Sequence, residues 1–119
     1  MPHLTLQYTA NLSETDVPQT LRRINQTVFE SGMFEEGDIK TRAVAVPVFL
    51  VGTEDRPRAF VHLTVAMAQR GPAVERAMAD ALSRVLVHAV GEHSGFKTQV
   101  CVEVVHVDTT CYVKVEVER

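Results

Sequence analysis

The residue best suited to chemistry in this sequence is Pro2, because removal of Met1 would leave its nitrogen as a free secondary amine. A free α-amino group has a pKa of about 7.7 to 8.0. Burial and neighbouring positive charge lower that pKa, since both disfavour the ammonium form. An amine that titrates near neutrality is suited to take up and return a proton. The sequence therefore predicts that Pro2 is a general base, provided that Met1 is removed.

An alternative interpretation of the same dipeptide involves no chemistry. Proline after the initiator methionine is common in cytosolic proteins, and a proline nitrogen that is still acylated by Met1 cannot take a proton. In that case the chain would be an oligomeric binding module without catalysis.

Composition and charge exclude several classes of protein. The chain has 119 residues, a hydrophobic fraction of 45%, a charged fraction of 23% and a formal net charge of -3. These values are typical of a single soluble domain, here residues 1–119. Without a basic patch we expect no nucleic-acid partner. The longest apolar stretch, residues 43–52, is only about half the length of a membrane span. We therefore expect a cytoplasmic protein with no membrane partner.

Residues 3–8 alternate between polar and apolar side chains, which predicts a strand with one buried face. Ser13, with Asp16 three positions later, is typical of a helix start, and Gly32 is typical of a helix end. Between them four apolar residues recur at helical spacing: Val17, Leu21, Ile24 and Val28. Residues 39–51 are rich in valine and predict a second strand, bent or at a sheet edge because of Pro47.

The second half of the sequence follows the same order. Residues 59–67 alternate as a strand does, and Pro72 after a glycine suits the start of a helix. That helix is expected to end near Gly91 or Gly95. Residues 99–107 predict a further strand, and the alternation of valine with charged residues over 112–118 predicts an edge or capping strand.

The two halves also share a tripeptide, since His3-Leu4-Thr5 recurs as His62-Leu63-Thr64. This match and the repeated element order favour an internal duplication, with halves of about 2–57 and 58–119. Because parallel neighbours need a helical crossover, a duplicated β-α-β unit gives an α+β fold. The expected architecture is a four-stranded sheet with two helices on one face and short extra strands. Leu4 and Leu63 are too apolar for the bare face to stay in water, so we expect that face to pack against further copies.

These features resemble the tautomerase superfamily: the proline after the initiator methionine, a duplicated β-α-β of this length, and the strand 59–65 followed by Arg70. Within it, three short motifs are most similar to the 5-carboxymethyl-2-hydroxymuconate delta-isomerases. They are Pro2-His3, Lys40-Thr41-Arg42 and Phe60-Val61-His62.

The resemblance implies a homotrimeric, cofactor-free isomerase that moves a proton on an unsaturated oxo-carboxylate in homoprotocatechuate degradation. It implies that Pro2 is catalytic and that Arg42, Arg70 and Lys40 bind the substrate carboxylates and the developing enolate. Lys40 stands where the family often has arginine, and lysine cannot make a bidentate grip on a carboxylate. This departure and an unusual tail, residues 109–119, leave open a related tautomerase with another substrate, of the hydratase or dehalogenase type.

The other candidate residues favour structural roles. Arg42 and Arg70 are equally compatible with ordinary surface positions at strand ends. His88 and His93 lie five apart, off a common helix face, so no metal is expected. Cys101 and Cys111 have no metal-like spacing and are expected to be buried, reduced thiols. The acidic residues Glu35, Glu36 and Asp38 are expected to form a solvated loop.

Overall fold

A computed structural model describes residues 1–91 and 95–118. His93 and Arg119, to which parts of the sequence predictions refer, lie outside these residues. The described elements, in chain order, are β1 (His3–Thr9), α1 (Val17–Glu30), β2 (Lys40–Val46), β3 (Arg58–Met67), α2 (Pro72–Gly91) and β4 (Lys97–His106). Short 3-10 helices, Glu36–Asp38 and Thr109–Cys111, precede β2 and follow β4.

The four strands form one mixed sheet in the order β2-β1-β3-β4. β1 and β2 are parallel, β3 and β4 are parallel, and β1 runs antiparallel to β3. The chain therefore contains two β-α-β units joined side by side, which is the predicted α+β fold. That one unit arose by copying the other stays a prediction.

The core lies between the sheet and the two helices. Leu4 and Leu63 are fully buried there, together with Ile24 of α1 and Leu86 of α2. The expectation that Leu4 and Leu63 lie on the bare face was therefore wrong. Strand alternation sends them toward the helices and leaves the opposite face to the intervening, mostly polar residues. That open face carries His3, Thr5, Gln7, His62 and Thr64.

Local sequence explains the boundaries of α1 and β2. The side chain of Asp16 accepts a hydrogen bond from the Gln19 N–H at 3.1 Å, so Asp16 is the N-cap and Ser13 lies outside the helix. Gly32 follows the helix with a φ of 76°, which an L side chain rarely adopts. β2 ends at Val46, because Pro47 cannot donate a ladder hydrogen bond.

The predicted strand over residues 112–118 does not form. After β4 a 3-10 turn begins beyond Asp108, and the following segment pairs with no strand of the described chain. Val113, Val115 and Val117 are 83%, 75% and 87% exposed. Alternation of valine with charge favours extended backbone, but a strand also needs a sheet edge beside it, and this segment has none among residues 1–91 and 95–118.

The two cysteines are both exposed, contrary to the prediction of buried thiols. Cys101 lies on the open face of β4, because Val100 and Val102 take the alternate positions that pack against the core. Cys111 lies in the 3-10 turn. No helix of the described residues is long and apolar enough to cross a membrane.

Candidate active site

The start of β1 is the centre of the candidate site. The ring of Pro2 is fully buried, and its carbonyl oxygen accepts a hydrogen bond from the Lys40 N–H at 3.3 Å. Met1 is present in this structure, so the free amine belongs to Met1 and the Pro2 nitrogen is an amide. The pKa of the Met1 amine is lowered by burial, by the adjacent Lys40 ammonium and by Lys114, while Asp38 opposes the shift. An amine at this strand end is thus held toward its neutral form.

Asp38 organises the positive charges around that amine. The Lys114 ammonium donates a hydrogen bond to the Asp38 carboxylate at 2.5 Å, and the Lys40 ammonium donates to the Asp38 carbonyl oxygen. The bond to Lys114 lowers the pKa of Asp38, and the same bond raises the pKa of Lys114. Asp38 was expected in a solvated acidic loop, but it lies half-buried and joins the tail to the start of β2.

Arg42 lies on the open face of β2, where its Cα pairs with that of Thr5. Its guanidinium contacts the His3 ring at Nδ1, at 2.9 Å, and the other ring nitrogen of His3 lies 2.9 Å from the Tyr112 hydroxyl oxygen. A guanidinium can only donate, so Nδ1 must accept and the ring proton must reside on Nε2. His3 is therefore the Nε2–H tautomer, and it donates to Tyr112.

The electrostatic setting of His3 agrees with this neutral form. Burial lowers the pKa of His3, and the charges of Arg42, Lys40 and the terminal amine lower it further. The His3 and Tyr112 rings also meet edge to face, with centroids 5.9 Å apart.

Arg70 follows β3 at the same end of the sheet, since Ala66, near the end of β3, pairs with His3. Its guanidinium carbon is 5.3 Å from the centre of the Phe34 ring, in a cation–π contact. The backbone N–H of Arg70 donates to the Glu75 carboxylate at 2.8 Å, and His106 contacts the other Glu75 oxygen at 2.8 Å. Among the described residues, no hydrogen bond or ion pair joins the Arg70 side chain to the group around Pro2.

The structure thus brings Pro2, Lys40 and Arg42 together, and it places Arg70 nearby against Phe34. Sequence reasoning missed four residues that complete the cluster: His3, Asp38, Tyr112 and Lys114. His3 belongs to the Pro2-His3 motif, and Asp38 lies two residues before β2. Tyr112 and Lys114 alternate with the exposed valines of the tail. This alternation was the feature of the sequence from which one side of the tail could have been predicted to face the protein. Histidine, cysteine and acidic side chains form no metal-like group within residues 1–91 and 95–118.

Two joined β-α-β units with a proline at the start of the first strand, beside fixed cations, define the class of the tautomerase-superfamily isomerases. A solved structure of this fold, a fused 4-OT symmetric trimer, is 14% identical, with a TM-score of 0.65 over 87% of this chain and 85% of that one.

The family follows from a more specific match. The model of the 5-carboxymethyl-2-hydroxymuconate isomerase family matches residues 2–115, so this chain belongs to that family and is an isomerase. The isomerase of this kind from Deinococcus radiodurans R1 is 29% identical, with a TM-score of 0.87 over 96% of this chain and 88% of that one. A 5-carboxymethyl-2-hydroxymuconate delta-isomerase is 16% identical, with a TM-score of 0.86 over 98% and 89%. Among curated proteins, none matches this sequence.

Proposed function

We propose that this isomerase moves a proton on a 2-hydroxymuconate-type unsaturated oxo-carboxylate, without a cofactor, and that the Pro2 nitrogen carries the proton. The substrate is 5-carboxymethyl-2-hydroxymuconate or a close relative. The family supports the substrate class, and the surroundings that lower the pKa of the Met1 amine, burial and the nearby Lys40, support a neutral amine at the same strand end.

The proposed step requires that Met1 is removed, which moves the free amine one residue along, to Pro2. The neutral amine takes the proton of the substrate enol O–H. The electron pair of that bond stays on the oxygen, and the resulting enolate is conjugated with the diene. The Pro2 ammonium then returns the proton to a carbon at the far end of the conjugated system. Atoms and charges balance, so no other reactant is needed.

The cations near Pro2 fit a substrate that carries several carboxylates. Lys40 and Lys114 are the ammonium groups whose charge lowers the pKa of the Met1 amine, and the Arg42 guanidinium contacts His3. Ammonium groups attract a carboxylate as point charges, whereas guanidinium groups orient it in a plane. We propose that Lys40 and Arg42 bind substrate from this side and that Arg70, from its place over Phe34, binds a more distant carboxylate.

We further propose that the working protein is a homotrimer. The sheet has one face without helices, and the three tail valines are exposed in the single chain. Assembly would cover both, and closed symmetric oligomers are the usual solution. The fused 4-OT of the same fold is a symmetric trimer.

The experiment starts with intact-mass analysis of natively processed protein to establish whether Met1 is absent. The absorbance change of 5-carboxymethyl-2-hydroxymuconate then measures turnover in wild-type protein, in Pro2→Ala and in the control Pro57→Ala. We expect turnover in wild type and Pro57→Ala, with a large loss in Pro2→Ala. Turnover of haloacrylates in place of the muconate would assign the chain a different substrate and contradict the proposal.

A further inference from the structure

The segment that follows β4 is attached to the site by two side chains that lie two residues apart. Tyr112 meets His3 at 2.9 Å, and Lys114 meets Asp38 at 2.5 Å. Tyr112 has extended backbone angles, φ -108° and ψ 127°. Val113, between the two attached side chains, is 83% exposed. The segment therefore has an inner side that faces the start of β1.

The hydrogen-bond directions at His3 determine what Tyr112 can do. Arg42 donates to Nδ1, so His3 must donate from Nε2 to the Tyr112 oxygen. The phenol hydrogen of Tyr112 is not used in that bond. Within residues 1–91 and 95–118, Tyr112 makes no other hydrogen bond, so this hydrogen is left to point away from His3.

This donor lies at the same strand end as the proposed base, because His3, which donates to the Tyr112 oxygen, directly follows Pro2. The proposed step generates an enolate oxygen, and fixed donors aimed at a developing oxyanion are commonly worth about 10²- to 10³-fold in rate. The phenol O–H can donate to that oxygen while Lys40, Arg42 and Arg70 hold the carboxylates.

We propose that Tyr112 is a further catalytic residue, whose hydroxyl donates a hydrogen bond to the substrate oxygen that becomes the enolate. His3 is its positioning residue, and Arg42 sets the tautomer of His3. This inference rests on the proposed function and extends that site to the C-terminal segment.

The test compares Tyr112→Phe, which keeps the ring against His3, with Tyr8→Phe, the same change at the other tyrosine of the chain. In Met1-free protein, we expect Tyr112→Phe to lower kcat about 100- to 1000-fold, with KM changed by less than about threefold. Tyr8→Phe, whose ring packs against the core, should leave both constants near wild type.

A binding measurement separates this inference from the proposed function. Calorimetry compares 2-hydroxybenzoate with benzoate, two planar carboxylates that cannot isomerise and that differ only in the hydroxyl oxygen. Tyr112→Phe should weaken 2-hydroxybenzoate about tenfold and leave benzoate unchanged.

Each outcome decides one of the two claims. An unchanged kcat in Tyr112→Phe overturns the inference while the proposed function stands. A wild-type protein that does not turn over the muconate overturns the proposed function. In that case the binding of 2-hydroxybenzoate and benzoate still tests the role of Tyr112. If Tyr112→Phe changes the affinity for both compounds equally, or changes neither, the inference is overturned.

Discussion

Replacing Leu63 with alanine tests which face of the sheet carries the core on which the site is built. Leu63 is 0% exposed, and its Cα pairs with Leu6 on β1 and Val102 on β4. Truncation of a fully buried leucine lowers the free energy of unfolding by about 2–5 kcal/mol, because transfer energy is lost and a cavity remains. The next residue, Thr64, is half-buried on the open face, so Thr64→Ala should cost about 1 kcal/mol or less.

The assay is urea unfolding followed by far-UV circular dichroism, at one fixed protein concentration because assembly contributes to stability. Domains of this kind have a free energy of unfolding of about 5–15 kcal/mol, so Leu63→Ala should remove a large share of it. Equal losses in the two variants, or a larger loss at Thr64, would refute the assignment of the buried face to the helix side.

Two further predictions concern the charges of the site. Arg42→Ala should raise the pKa of His3 toward its ordinary value of 6.5, because one of the cations that disfavour protonation of the ring is removed. NMR titration of His3 measures this pKa, and an unchanged pKa would contradict the contact between Arg42 and His3. In wild type the pKa of His3 is lower in the folded chain than in the unfolded chain. As the pH falls through 6.5, His3 is therefore protonated in the unfolded chain before it is protonated in the folded chain, and the free energy of unfolding decreases. Lys114→Gln should speed proteolytic cleavage of the tail at neutral pH, relative to wild type and to the control Lys97→Gln, because the bond to Asp38 is lost. Since the pKa of Asp38 is lowered, the bond between Lys114 and Asp38 is complete above about pH 3.8 and is lost only as the pH falls through the lowered pKa. Equal cleavage of all three proteins would show that this bond does not hold the tail.

Hydrophobic periodicity predicted the strands and helices, because each has one buried face over several turns or alternations. It could not say which face of the sheet the helices cover. Leu4 and Leu63 do lie on the same face of the sheet, as predicted, but that face packs against the helices and is not the bare face. The segment 112–118 has a strand pattern and forms no strand, since hydrogen bonding to a sheet edge depends on where the preceding turn sends the chain.

The same limit applies to the candidate site, where only residues close in the sheet could be placed from the sequence. Pro2, Lys40 and Arg42 lie at the adjoining starts of two parallel strands, so motif and topology together were enough to place them near one another. Tyr112 meets His3 across 109 positions of sequence, and no periodicity encodes such a contact. Cys101 was expected to be buried from its residue type, but neighbouring valines compete better for the inward positions of β4.

The role of the Pro2 nitrogen as the base is tested by comparing the pH dependence of kcat/KM with the titration of that nitrogen, measured by ¹⁵N NMR on proline-labelled protein that lacks Met1. We expect this nitrogen to titrate below the ordinary range of a terminal amine, about 7.7 to 8.0. We also expect the acidic limb of the rate profile to follow the same titration. Undiminished turnover in protein that retains Met1, where this nitrogen is an amide, would contradict the role of Pro2 as the base.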